Sequence, residues 1–290
     1  MTKRLRRRIY IYGTTLAILA MLATAAYIFA VRPNDEANRY NQQLTDSAVI
    51  LHATLTSLSR TIQLNIFNTP DGTLTSRLHD LDSITRSITA TRSQLARFET
   101  QANDLHTMAH LPIFNSYHNA QISQQNARDI VSQTSDALDQ YQKLANFLRQ
   151  YYTLDNTFTT ITGKINAVSN LDSLIPDYSQ VYADSQTLDD LATSVRKLAA
   201  PAAYVSLVST ATSVYQQAAQ GLHALANGLS LNNDATKNSG IAMVEQATAQ
   251  HDDKLIDIPF NDVQNSYVLT QISELPDKTD SILSAHTSGD

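Results

Sequence analysis

Apolar side chains return every three or four residues along most of this chain, the spacing that places them on one face of an α-helix. Asn34 or Asp35 can cap a helix start, and Tyr40, Leu44, Leu51, Leu55, Leu58 and Ile62 predict a helix ending near Asn68. Thr69-Pro70-Asp71-Gly72 reads as a turn, because proline fixes φ and glycine accepts positive φ. A second helix is predicted from Leu74, with Leu78, Leu81, Ile84, Ile88, Thr91, Leu95, Phe98, Ala102, Leu105 and Ala109 on one face and a stop at Pro112. Ile113, Tyr117, Ala120, Gln124, Ala127, Val131, Thr134, Leu138, Tyr141, Ala145, Leu148 and Tyr152 then keep a four-three rhythm. That period of about 3.5 suits left-handed bundle packing at crossing angles near about 20°.

The second half is less regular. Leu154 to Asn170 contains Gly163 and many Thr and Asn, which predict a weak or broken helix before Pro176. Asp177 can cap a helix through Tyr178, Tyr182, Leu188, Leu191, Val195 and Leu198 to Pro201, itself suited to a helix start. From Leu198 to Asn233 there is no charged residue, and two apolar columns run side by side. One is Val205, Val208, Thr212, Tyr215, Ala219, Leu222, Ala226 and Leu229; the other is Leu207, Ala211, Val214, Ala218, Gly221 and Leu225. Gln216, Gln217, Gln220, His223 and Asn227 argue against a lipid-facing span. Two apolar faces instead predict the central helix of its bundle, with Ala and Gly allowing close neighbours. Leu231-Asn232-Asn233-Asp234 reads as a turn and cap, followed by a helix through Ile241, Val244 and Ala247 toward Ile258-Pro259 and a last weak helix from Asn261 to Ser284.

Ahead of all this stands a different pattern. Ile9 to Val31 is 23 residues without a charge, preceded by Lys3, Arg4, Arg6, Arg7 and Arg8 and followed by Arg32. Roughly 20 helical residues cross the hydrocarbon core of a bilayer, so the segment is long enough to span. Tyr10, Tyr12, Tyr27 and Phe29 fall where amphipathic rings prefer the interface, and the basic flank places the N-terminus on the cytoplasmic side. A cleaved signal peptide is the competing reading, with small residues at Ala23-Thr24-Ala25 and Ile28-Phe29-Ala30, but the apolar run exceeds the roughly 7 to 15 residues of such a core.

Composition sharpens the picture. The chain has 290 residues with seven glycines and seven prolines, few for a sheet protein, and no cysteine, which removes disulfides, thiolate metal sites and a cysteine nucleophile. The net charge is -6, yet no acidic residue precedes Asp35. Six of the 21 Lys/Arg lie at or before Arg32, so 15 face all 27 Asp/Glu in the remainder, which carries -12. With no basic cluster after Arg32, nucleic acid is not an expected partner.

Candidate chemistry is sparse. His106 and His110 stand one helical turn apart and could share a metal with Asp104 or His118, but Thr107 occupies the place where a zinc hydrolase carries its glutamate, and surface histidines are the expectation. Asp189-Asp190 and Asp252-Asp253 are adjacent, diverge by about 100° on a helix, and do not make an acid/base couple. His251 with Asp252, Asp253 and Asp257 lacks the spacing of a calcium loop. Tyr151, Tyr152, Tyr178, Tyr182, Tyr204 and Tyr215 could line a groove, though tyrosines at helical spacing more often fill a core. The glycines build neither a phosphate loop nor a nucleophile elbow.

The expected fold is therefore all-α: an N-terminal transmembrane helix followed by an elongated up-and-down bundle of long antiparallel helices. Residues 1–8 form a cytoplasmic basic terminus, 9–31 the signal-anchor helix, 32–152 and 153–285 the two halves of an extracytoplasmic bundle, and 286–290 a frayed tail. In outline the pattern resembles bacterial envelope proteins and the outer halves of membrane sensors; no motif ties it to a family. The expected role is non-enzymatic, without cofactor, metal or catalytic residues, in protein interaction or structure. The expected partners are a membrane crossed once and a protein partner or a second copy meeting the helix seams. The alternative is a ligand-binding or sensory ectodomain acting with a separate transducer, and a metal-dependent enzyme stands third.

Overall fold

The computed structural model describes residues 3–67, 73–106, 115–169 and 177–254, with side chains described for residues 14–62, 73–106, 116–165 and 177–253. These residues are helical throughout apart from short turns, and no strand occurs among them. The helices are α1 (Lys3–Ala26), α2 (Arg32–Phe67), α3 (Leu74–Ala102), α4 (Asn115–Ser169), α5 (Tyr178–Arg196), α6 (Val205–Ser230) and α7 (Asp234–Lys254). The turn at Pro70, the stop at Pro112, Pro176 and the expected last helix from Asn261 lie outside the described residues.

The expected helix start at Asn34 or Asp35 does not occur, because α1 passes through a π-helical turn, Tyr27–Val31, directly into α2. The Arg32 N–H reaches back to the Tyr27 carbonyl, and Arg32 keeps helical φ and ψ of -59° and -45°. The next residue is Pro33, whose ring would crowd the carbonyl four residues earlier in a regular helix; the wider turn relieves that crowding. One helix runs from Thr14 to Ile62 and is long and apolar enough to cross a membrane, with none of its most apolar stretch buried.

The described chain divides into two compact units, to which α2, α3 and α4 each contribute residues. In the first, comprising residues up to Thr56 and Ala90–Asp136, the core is Tyr40, Leu44, Leu51 and Leu55 of α2, Leu95 and Phe98 of α3, and Tyr117, Ala120 and Ala127 of α4, all buried. Here α3 ends at Ala102, short of the expected Pro112, although Leu105 remains buried beyond it. The last turn tightens: Asn103 N–H donates to the Glu99 and Thr100 carbonyls and Asp104 N–H to that of Gln101. Tyr40 then donates to the orphaned Ala102 carbonyl at 3.3 Å, and beyond the helix Tyr117 donates to the His106 carbonyl and Arg128 Nε to the Asn103 side chain at 2.9 Å.

The second unit holds the described residues of Ser57–Thr89 and those from Ala137 on. Leu154 to Ser169 is not a weak or broken helix but the end of α4, which runs 55 residues through Gly163. Packing overrides propensity there, since Phe158, Ile161, Thr162 and Ile165 are buried, and Thr157, Thr159, Thr160 and Thr162 return their hydroxyls to carbonyls one turn back. Both apolar columns of α6 are buried except near their ends, where Val205 is exposed and Val208 and Leu229 half-buried; α6 packs extensively against α5 on one side and α7 on the other. The α6–α7 approach is at backbone distance: a Cβ on Gly240 would stand 2.5 Å from Leu225 N and 2.6 Å from Gly221 O.

Asp177 caps α5 as the sequence indicates, with φ -61° and ψ 130°; its carboxylate accepts from the Ser179 hydroxyl and from Ser179 N–H, and these bonds, the hydroxyl's first, hold the carboxyl below the usual carboxylate range. The buried column of α5, however, starts at Val181 and Ser185, leaving the expected Tyr178 and Tyr182 exposed before Leu188, Leu191 and Val195 take up the core. Pro201 precedes a single 3-10 turn, Ala202–Tyr204, that leads into α6. The turn before α7 uses Asn232 in the left-handed region, φ 49°, and Asn233 accepts from Thr236 N–H.

Candidate functional site

The most concentrated polar chemistry in the second unit forms where α4, α6 and α7 meet. Tyr151, Asp155 and Phe158 follow one another by four and three residues, so α4 carries them on one face. Asp155 Oδ1 accepts two hydrogen bonds, from the Tyr215 hydroxyl of α6 at 2.8 Å and from His251 Nε2 of α7 at 2.8 Å. The Phe158 ring stacks on both donors, 4.4 Å from Tyr215 at 17° and 4.9 Å from His251 at 27°. Phe158, Tyr215 and His251 are buried, and the Asp155 side chain retains 15% of its exposure.

The second ring nitrogen of His251 is also engaged, Nδ1 lying 3.2 Å from Asp252 Oδ1 at the protein surface. Burial by itself would lower the imidazole pKa; the hydrogen bonds to Asp155 and Asp252 and their charges outweigh it and hold the pKa above its ordinary value. Burial first, and then Tyr151 and Asp155, push the Tyr215 phenol far above its ordinary range, and burial followed by Asp155 does the same to Tyr151. When both ring nitrogens carry protons, Asp155 and Asp252 take both N–H groups, and the contact ties α7 to α4.

Next to it α4 carries an aromatic ladder. Phe147 lies 6.1 Å from Tyr151 and 5.2 Å from Tyr204, Tyr151 lies 6.1 Å from Tyr152, and the Arg77 guanidinium of α3 sits 5.0 Å over the Tyr152 ring. Among the described residues the buried Tyr204 hydroxyl has no hydrogen-bond partner.

Residues singled out by the sequence fall in different places. His106 is exposed, with Nδ1 3.3 Å from Glu36 Oε1; Asp104 and His118 are exposed too, and His110 lies outside the described residues. Among the described residues no three His, Asp or Glu side chains converge in a way that could hold a metal ion. Asp189, Asp190 and Asp253 are exposed, and Asp257 lies outside the described residues. The six tyrosines do not make one groove: Tyr151, Tyr152, Tyr204 and Tyr215 are buried in the core of the second unit, while Tyr178 and Tyr182 stack at 6.1 Å on its surface. Sequence reasoning placed Asp252 beside His251, where the structure has it, but missed Asp155, the buried partner, and grouped with them Asp253, which is exposed. The available signal was register: Asp155 lies on the face of Tyr151 and Phe158, and His251 continues the column Val244, Ala247.

No protein-family model, curated protein or solved structure matches this chain.

Proposed function

We propose that the chain is a non-enzymatic, single-pass membrane protein whose helical bundle acts in protein interaction or as a structural element on the extracytoplasmic side. The observation that carries this reading is the exposed apolar surface of α1 and the π turn, where Leu16, Met21 and Leu22 are 71, 70 and 62% exposed and Tyr27, Ile28 and Phe29 follow them. A run of this size on a soluble surface would be strongly unfavourable, and a bilayer is the medium that matches its length and composition. The five basic residues ahead of it and the acid-rich chain behind it support an N-terminus in the cytoplasm. The continuous helix through Pro33 would then join the span to the bundle without a flexible link.

Two measurements test this. The full-length chain should stay with membranes through alkaline extraction, and protease added to intact cells should digest the residues after Arg32. Recovery in the soluble fraction, or a protected body, would refute the anchor or the orientation respectively. Crosslinking in intact membranes should capture a protein partner or a second copy.

The second reading, a ligand-binding or sensory ectodomain with a separate transducer, draws on a groove of about 590 Å³ in the first unit, of mixed polar and apolar lining that includes Arg92, Leu95, Glu99, Arg128, Val131 and Asp136. It predicts a small-molecule ligand that raises the melting temperature, whereas the interaction role predicts none.

A further inference from the structure

A single carboxylate oxygen ties three helices of the second unit. Asp155 Oδ1 on α4 takes the Tyr215 hydroxyl of α6 and His251 Nε2 of α7, each at 2.8 Å, and His251 Nδ1 faces Asp252 at 3.2 Å. Ionised carboxylates accept and do not donate, so both ring nitrogens must carry protons for both contacts to be hydrogen bonds. The groups facing His251 are Asp155 and the Phe158 ring from α4, Tyr215 through the shared oxygen from α6, and Asp252 from its own helix. Tyr151, one turn before Asp155, is neutral at any ordinary pH, and Arg77 of α3 is engaged on the Tyr152 ring. Within this set the two carboxylates favour the imidazolium by charge and the stacked Phe158 ring by its electron-rich face.

We propose that this cluster is a pH-operated clip, which docks α7 most firmly on α4 and α6 in mildly acid medium and loosens it as pH rises above the ordinary imidazole value. Losing the proton leaves one nitrogen with a lone pair facing a carboxylate, and leaves the Asp155 charge, largely removed from water, with no counter-charge among these partners. The sign follows from linkage. His251 binds its proton more tightly in the docked state than when α7 is released, where the ordinary value near about 6.5 applies. Its contribution is therefore complete below that ordinary value and is lost as pH rises from there through the docked value. The remaining anchors of α7, the buried Val244 and Ala247 and the close backbone contact at Gly240, do not titrate.

The test is hydrogen exchange of the α7 amides in the full-length chain in detergent, from about pH 6 to about pH 9, corrected for intrinsic exchange. Protection of α7 should fall by up to about tenfold per pH unit above about pH 6.5 and then level off, with α5 unchanged. His251→Gln, which keeps a hydrogen-bonding group and cannot titrate there, should abolish the slope. Asp252→Asn is on the surface and serves if the glutamine variant does not fold; by lowering the docked value it should make the decline level off at a lower pH. Wild-type α7 protection that ignores pH, a slope that survives in His251→Gln, a decline shared equally by α5, or a transition unmoved by Asp252→Asn would each overturn the clip.

Discussion

Asp155 and His251 are 96 residues apart in sequence and 2.8 Å apart in the fold. Removing either leaves the other largely buried without its counter-charge, and breaking such a pair costs about 3–5 kcal/mol. Asp155→Ala should destabilise the second unit by about 3 kcal/mol, and Asp155→Asn by less, because an amide oxygen still accepts one of the two donors. A double-mutant cycle with His251→Gln, read by chemical denaturation, should give a coupling of about 1–3 kcal/mol. Additive effects would show that the two side chains do not act together.

Tyr215 contributes a hydroxyl to Asp155 and a ring to Phe158, and Tyr215→Phe separates the two. Losing only the donor should cost about 1–2 kcal/mol, measured by denaturant midpoint, while Tyr215→Ala should cost more through the lost stack.

Alkaline titration should unfold the second unit. Burial raises the phenol pKa of Tyr141, Tyr204 and Tyr215 well above the ordinary value, and that of Tyr152 to about 12. Unfolded tyrosines ionise near about pH 10, so the contribution is intact below that point and lost as pH rises beyond it. Phenolate absorbance from these four should appear together with loss of helix signal; smooth ionisation in a folded chain would contradict their burial.

Two glycines should respond oppositely to the same change. Gly240→Ala pushes a methyl into the α6 backbone and should cost about 1–3 kcal/mol or more, since neither helix can move aside cheaply. Gly163→Ala meets nothing within 4 Å in mid-helix and should stabilise by about 0.5–1 kcal/mol. Thermal melts of the two variants check the pair.

At the α5 cap, Asp177→Ala should lower amide protection in the first turn of α5 and leave α7 unchanged. In the wild type the cap should weaken as pH falls through the depressed pKa of Asp177, because its folded carboxyl lies below its unfolded one. Equal protection in both proteins would remove the cap from the account.

Sequence alone established the helical character of the chain, the buried faces of α2 and α3, both columns of α6 and the cap at Asp177, because those follow from local period and local hydrogen bonding. It could not decide whether Leu154–Ser169 holds together, since Thr and Gly lower intrinsic propensity while Phe158, Ile161 and Ile165 gain their burial only from other helices. Nor could it reveal a break short of Pro112 or the lack of one at Asn34, which turn on the tightened end of α3, the side chains that close it, and a widened turn before Pro33. The pairing of Asp155 with His251 lay furthest from reach. A charge next to His251 in sequence is visible as a neighbour, whereas a charge on α4 becomes one only when helix packing brings the two faces together, and that packing alone makes a buried polar pair tolerable.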